Sequence, residues 1–281
     1  MALIRYPGSK AKLLDEILKC VPDEMKFELL ASKVRWEYRE PFFGAGAVGF
    51  EILNCLPSSS RIWLNDIDYG IYSLWRSVLN DPSGLSSMIE RFTPSAEWFY
   101  EFKSSDGDTS VSELRAGFRK LALHQMSVSG FGAKSGGPLG GREQKNAEYP
   151  VDCRWNAETL QRHVKRLHEQ MKWFKELQIT NLDFGEVLEG VPSDAFVYLD
   201  PPYVEKGGQL YKHAMDEAAH RRLAETIQKL KCRWALSYDD HALVRECYSW
   251  AEFKELAVVY TNATNAPAKR PKNREVVITP V

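Results

Sequence analysis

Apolar positions along this chain follow two rhythms. Ala195-Phe196-Val197-Tyr198-Leu199 is a continuous apolar run, the signature of a strand buried on both faces. Short strand-like stretches also cover Val34 to Arg39, Arg61 to Asp66, Leu177 to Asn181, Arg233 to Ser237, Phe253 to Tyr260 and Glu275 to Thr279. Helical spacing appears between them. Leu13, Leu14, Ile17 and Leu18 share one face of a predicted helix from Lys10 to Cys20, and further helices are predicted over Val48 to Leu53 and Ile71 to Leu79. The middle, about Asp81 to Glu176, is mostly helical in pattern, broken by a polar loop at Ser104 to Asp108 and a glycine-rich stretch from Gly130 to Gly141. The alternation predicts an α/β protein with a mostly parallel sheet covered on both faces. Glu275 to Thr279 is expected to pair with the preceding strand as a hairpin across a basic loop.

Chemistry enters where the apolar runs stop. Leu199 is followed by Asp200-Pro201-Pro202-Tyr203. Two prolines donate no backbone hydrogen bonds, so the strand ends there and the chain leaves in an extended form. In an open α/β sheet that edge is where ligands bind. A carboxylate and unpaired carbonyls can accept hydrogen bonds from an exocyclic amine, while a tyrosine ring stacks on the base carrying it. Two such acceptors favour a pyramidal nitrogen with its lone pair aimed at an electrophile, and stabilise the charge that develops on transfer. A strand followed by a proline turn is the plainer reading.

Glu40-Pro41-Phe42-Phe43-Gly44-Ala45-Gly46-Ala47-Val48-Gly49 has the G-x-G-x-x-G spacing, placed after a strand and before a helix. The next strand ends in Asp66, suited to the two hydroxyls of a ribose or, more plainly, to capping the following helix. Asp183-Phe184 follows a strand stretch from Ile179 to Leu182. That acid could accept the amine of a cofactor's adenine, or be a helix cap beside a core aromatic.

Composition narrows the classes. With 281 residues and 44% hydrophobic content, the chain is expected to be a large domain or a core with an insertion. No apolar run approaches membrane-spanning length. Five scattered cysteines without a C-x-x-C pair point to a reducing cytoplasm and away from zinc, and no Pro-Cys dipeptide offers a cytosine-C5 nucleophile. The six histidines show no metal-ligand spacing and read as surface or core residues, so no metal is expected. Net charge is −1, but Arg115 to Lys175 holds twelve Lys and Arg against five Asp and Glu, and Lys269 to Arg274 is basic. Either stretch is a solvated face or a phosphate-binding surface.

Tyr6-Pro7-Gly8-Ser9-Lys10, Glu40 to Gly46, Asp66 and Asp200 to Tyr203, in that order, resemble the Dam-type (class D12) DNA adenine-N6 methyltransferases. Gly136 to Gly141, Asp152 to Asn156, Leu210-Tyr211, His220 to Ala224 and Leu236 to Asp239 extend the likeness over nearly the whole chain. The resemblance implies a Rossmann-like methyltransferase sheet, mostly parallel with one antiparallel strand, and an inserted helical target-recognition lobe. Residues 1–80 would form the cofactor-binding half, 81–176 the lobe and 177–281 the catalytic half. It implies S-adenosylmethionine as cofactor and double-stranded DNA as partner, and it admits a cognate restriction nuclease.

By the same resemblance, Tyr6, Lys10, Glu40, Pro41, Phe42, Gly44, Gly46, Asp66, Asp183, Phe184 and Asp200 line the cofactor pocket. Asp200, Pro201, Pro202 and Tyr203 form the catalytic site, and the target base is flipped into it. Lys134, Arg142, Arg154 and Asn156 are the expected DNA contacts, joined by Lys206 in a loop expected to close over the nucleotide and by Tyr211. His124 to Gly130 departs from the Asn-Arg-Thr-type run of similar enzymes, so no target sequence carries over. The rivals are an NAD- or FAD-dependent oxidoreductase, which leaves Asp200 to Tyr203 without a role, an N4-cytosine or RNA-adenine methyltransferase, and an inactive nucleic-acid-binding relative.

Overall fold

Seven strands form one sheet in the computed structural model, which describes residues 3–4, 13–26, 35–204, 214–258 and 273–281. They are β1 (Glu37–Glu40), β2 (Arg61–Asn65), β3 (Glu176–Thr180), β4 (Ala195–Leu199), β5 (Arg233–Asp239), β6 (Glu252–Val258) and β7 (Asn273–Thr279). The order is β3-β2-β1-β4-β5-β7-β6. β7 runs antiparallel to both neighbours, and the remaining pairings are parallel. The single antiparallel strand and the final hairpin are as expected, with β7 inserted between β5 and β6.

Strand β1 starts later than its apolar lead suggests, and its four residues, Glu-Tyr-Arg-Glu, are largely polar yet all buried. Arg39 explains how. Its guanidinium bonds Glu37 at 2.5 Å, donates to the carbonyls of Val187 and Glu189 at 2.6 and 2.9 Å, and lies 4.6 Å from the centre of the Trp63 ring. Buried charge is tolerated where it is paired and its donors are used.

Ten helices are described: α1 (Leu14–Cys20), α2 (Gly49–Leu53), α3 (Tyr69–Asn80), α4 (Pro82–Arg91), α5 (Ala96–Ser104), α6 (Glu113–Met126), α7 (Ala157–Lys172), α8 (Phe184–Leu188), α9 (Glu217–Gln228) and α10 (Ala242–Cys247). Side-chain caps set several of their starts. Asp68, Asp81, Ser95, Ser112 and Asn156 accept from the first-turn amides of α3, α4, α5, α6 and α7, each worth about 1 kcal/mol.

The middle helices do not form a core of their own. Leu74 and Trp75 of α3 belong to the same buried cluster as Phe99, Leu121 and Val164 from α5, α6 and α7. Helix α6 approaches α3 closely because residue 117 is glycine, where a Cβ would stand 2.7 Å from the Leu74 backbone. A second cluster unites Val197, Leu199, Leu223, Trp234, Tyr238 and Ile278 on the β4–β5–β7 side.

Candidate active site

Parallel register brings the strand-end acids to one edge. Glu40 pairs with Leu64, so Asp66 emerges just beyond it on β2; Arg39 pairs with Val197, so Asp200 emerges beyond it on β4. β1 and β4 are neighbours although β1 is followed in sequence by β2. This is the topological switch point of the sheet, where α/β proteins bind ligands.

The glycine turn is fastened to this edge by Asp66. Its Oδ2 accepts the Gly44 N–H at 2.7 Å and its Oδ1 accepts the Asp68 N–H at 2.8 Å. Helix α3 is capped by Asp68, not Asp66. Asp66 thus stands alongside the turn with each carboxylate oxygen accepting one backbone N–H. Gly44 and Gly46 have φ of +50° and +69°, a region that glycine enters without penalty. Trp75 donates to the Gly44 carbonyl at 2.8 Å. Asn65 joins three strand ends: its amide donates to the carbonyls of Pro41 and Leu182, both at 3.0 Å, and its oxygen accepts from Leu182 N–H and Thr180.

Gly49, the third glycine of the pattern, leaves space for a carboxylate. A Cβ there would lie 2.1 Å from Glu40 Oε2. Glu40 accepts the Tyr38 hydroxyl at 2.7 Å. Burial holds its carboxyl well above the usual range, and the charges of Asp200 and Asp66 push the same way against the Tyr38 bond. Burial and the adjacent Asp68 likewise raise Asp66 to about 7, against two amide bonds and Lys120. Burial and mutual repulsion favour an uncharged Glu40, which leaves Asp66 and Asp200 as the carboxylates at this sheet edge, and the glycine turn beside them permits close backbone approach. The donor set fits a sulfonium nucleoside. Among the described residues, no group of three or more His, Cys, Asp and Glu is arranged to hold a metal ion.

Phe42 and Phe184 meet at 5.7 Å between ring centres. Asp183 caps α8 through Gly185 N–H and forms a two-bond ion pair with Arg222, 2.8 and 2.7 Å, which holds its acid below the usual carboxylate range. The Arg222 guanidinium lies 4.1 Å from the centre of the Phe184 ring. Asp183 is thus a helix cap beside a buried aromatic, and its carboxylate is already engaged by Arg222.

Pro201 is buried, and Asp200 and Tyr203 are partly buried. The ring of Tyr203 leans on Tyr238, with centres 6.1 Å apart, and the Val204 N–H bonds Asp239 at 3.3 Å. The end of β5 therefore supports the segment leaving the prolines. Tyr238 is held in turn by His220, at 2.5 Å.

Lys134 and Arg142 are exposed on the glycine-rich stretch, Arg142 lying 5.4 Å from the Tyr100 ring centre. Arg154 donates to the Ser127 carbonyl at 3.0 Å, and Asn156 caps α7. The stretch is organised from within: Gln144 donates to Leu139 and Gly141 carbonyls and accepts from Val151 N–H. Tyr6, Lys10, Lys206 and Tyr211 lie outside the described residues.

Sequence reasoning missed Asn65, Tyr38, Asp68 and Lys120. Asp68 carried a readable signal, an acid before a helical pattern. Asn65 and Tyr38 stood inside a strand pattern that says nothing about side-chain bonds. Lys120, on an amphipathic helix, looked like solvent-facing charge.

The chain is 20% identical over 270 residues to Type II methyltransferase M1.LlaDCHI of Lactococcus lactis subsp. cremoris, covering 94% of this chain and 82% of that protein. It is 24% identical over 248 residues to Type II methyltransferase M.MjaIII of Methanocaldococcus jannaschii, covering 83% and 81%. Residues 6–262 match the model of the D12 class N6 adenine-specific DNA methyltransferases. With that match over nearly its whole length and an acid-lined switch point beside Asp-Pro-Pro-Tyr, the chain belongs to the D12 class of N6 adenine-specific DNA methyltransferases.

Proposed function

We propose that this adenine methyltransferase uses S-adenosylmethionine and acts at a specific sequence in double-stranded DNA, on a base flipped out of the duplex. The observation that carries the reading is the convergence of Glu40, Asp66 and Asp200 at the β1/β4 switch point. When bound, S-adenosylmethionine supplies an electrophilic methyl group on a sulfonium.

The residues divide the remaining work. Asp66 accepts the ribose hydroxyls, and the edge formed by Glu40 and Pro41 faces the methionine part of the cofactor. Phe42, Gly44 and Gly46 line the cofactor beside Pro41, with Phe184 as an apolar wall. Asp183 serves that wall through Arg222. Asp200 and the Pro201 carbonyl accept the two hydrogens of the target amine and turn its lone pair outward; Pro202 keeps the chain extended, and Tyr203 stacks on the base. Electrostatics and positioning account for the acceleration. The amine proton leaves to water.

Lys134 and Arg142 meet phosphates. Arg154 and Asn156 shape the same surface, one by bracing the turn at Ser127 and the other by starting α7. Tyr6, Lys10, Lys206 and Tyr211 keep the roles implied by resemblance. In this reading residues 1–80 and 177–281 are the cofactor-binding and catalytic halves and 81–176 is the target-recognition lobe. A DNA-directed reaction and scattered thiols favour the cytoplasm. Because the relatives are named Type II methyltransferases, a cognate restriction nuclease is the partner to seek.

The test is transfer from methyl-labelled cofactor onto unmethylated duplex DNA, followed by nucleoside analysis and methylation-aware sequencing. Label in N6-methyladenine within one short recurrent sequence supports the reading. Label scattered over all adenines removes the specificity, and transfer to RNA alone removes duplex DNA.

A further inference from the structure

Lys120 is a buried lysine that touches none of the residues given a cofactor or DNA contact above. It lies on α6, in the middle segment, and its side chain is 5% exposed. Its ammonium sits 2.7 Å from Asp68 Oδ2 and 3.1 Å from Asp106 Oδ1, and those carboxylates are 11% and 6% exposed. The lysine stem passes over Gly70, where a Cβ would stand 2.9 Å from Lys120 Cδ, so the helix start is cut away to admit it.

Asp68 is the pivot. Its Oδ1 caps α3 through Ile71 N–H at 3.1 Å, its Oδ2 takes the lysine, and its backbone N–H donates to Asp66 Oδ1. The other Asp66 oxygen holds Gly44. A continuous chain of short polar contacts thus runs from α6 through Asp68 and Asp66 to the glycine turn.

We propose that Lys120 is a positioning residue for cofactor binding: by fixing and neutralising Asp68, it holds the turn that presents Asp66 and keeps Asp66 ready to accept the ribose. The inference rests on Asp66 being the ribose ligand. Burial alone would lift the Asp68 acid, but the charge and hydrogen bond of Lys120 outweigh it, and the net direction is downward. Burial would likewise lower the Lys120 ammonium, yet Asp68 and Asp106 outweigh it and raise it.

The titratable groups around Asp66 are Asp68, Lys120 and Glu40, with Asp106 sharing Lys120 and His124 acting on Asp68. Lys120 and Asp68 pull the Asp66 titration in opposite directions. This opposition separates an electrostatic role from a structural one. Loss of Lys120 should make Asp66 harder to ionise; loss of the Asp68 charge, with the cap kept by asparagine, should make it easier.

The experiment is calorimetric titration of full-length protein with S-adenosylhomocysteine between pH 5.5 and 9, for wild type, Lys120→Met, Asp68→Asn and Asp66→Asn. The pH below which affinity falls should rise in Lys120→Met, and a rise of about one unit would weaken binding at pH 7 by about fivefold. It should fall in Asp68→Asn and vanish as a feature in Asp66→Asn. Unmoved midpoints, or shifts of the same sign in both variants, overturn the inference while leaving the ribose reading intact. If Lys120→Met fails to fold, the same titration of Lys120→Gln decides, with an unmoved midpoint again overturning the inference. An Asp66→Asn protein that binds like wild type overturns the ribose reading itself, and this inference with it.

Discussion

His220 Nδ1 and the Tyr238 hydroxyl lie 2.5 Å apart, both buried, joining the first turn of α9 to the end of β5 directly behind Tyr203. Burial lowers the His220 acid below its ordinary 6.5, so the imidazole is neutral at pH 7. Tyr238→Phe removes the pair and leaves a buried ring nitrogen unsatisfied. It should cost about 1–3 kcal/mol in urea unfolding. The same neutral histidine gives a pH signature. Unfolded chains take up the proton first, so this share of stability is complete above pH 6.5 and declines as pH falls below it. Tyr238→Phe should weaken DNA binding through a less supported Tyr203, read as a raised KM for DNA.

Gly49→Ala tests the buried carboxylate. The new methyl group would overlap Glu40 Oε2 and the Phe43 ring, 2.1 and 2.6 Å from an ideal Cβ. Overpacking of this kind typically costs about 1–3 kcal/mol. Glu40 must move, so calorimetry should show weaker binding of S-adenosylhomocysteine at unchanged stoichiometry.

Cofactor affinity should also depend on pH in wild-type protein. Asp66 titrates at about 7 in the free protein, and accepted ribose hydroxyls favour its ionised form. Affinity is then full well above pH 7 and falls as pH drops through it, by at most about tenfold per unit for one proton. An affinity that is flat from pH 5.5 to 8 contradicts the assignment.

Replacing exposed Lys134 and Arg142 by alanine should weaken DNA binding across all sequences. The log–log salt slope should flatten by about 0.9 for each phosphate no longer neutralised. Stability should hardly change, because neither side chain is buried. Arg154→Ala should behave differently, unfolding more easily once its bond to Ser127 is removed.

How far the sequence could be read follows from where each side chain makes its contacts. Ala195 to Leu199 is legible because all five residues are apolar and buried, and two prolines end the run. The G-x-G-x-x-G spacing revealed the turn, yet the use of Gly49 to house Glu40 depends on a strand nine residues upstream. Polar β1 hides its burial, since Glu37, Arg39 and Tyr38 are satisfied by partners that periodicity cannot show. Lys120 is the extreme case. Its meaning comes from Asp68, fifty-two residues away, and nothing local separates it from a solvent-facing lysine. The glycine-rich stretch was visible as a break in helical pattern, but its internal order rests on side chains such as Gln144 and Ser127.

The central claim is that Asp200, at the β1/β4 switch point, orients the amine that receives the methyl group. Single-turnover methyl transfer by wild-type and Asp200→Ala protein, on duplex DNA carrying the recognised sequence, tests it most directly. Wild type should place the label on adenine N6, while the variant keeps its fold and loses transfer by about a hundredfold or more, the scale seen when a transition-state acceptor or donor is removed. Transfer by Asp200→Ala at the wild-type rate, or wild-type label appearing as N4-methylcytosine, would contradict the account.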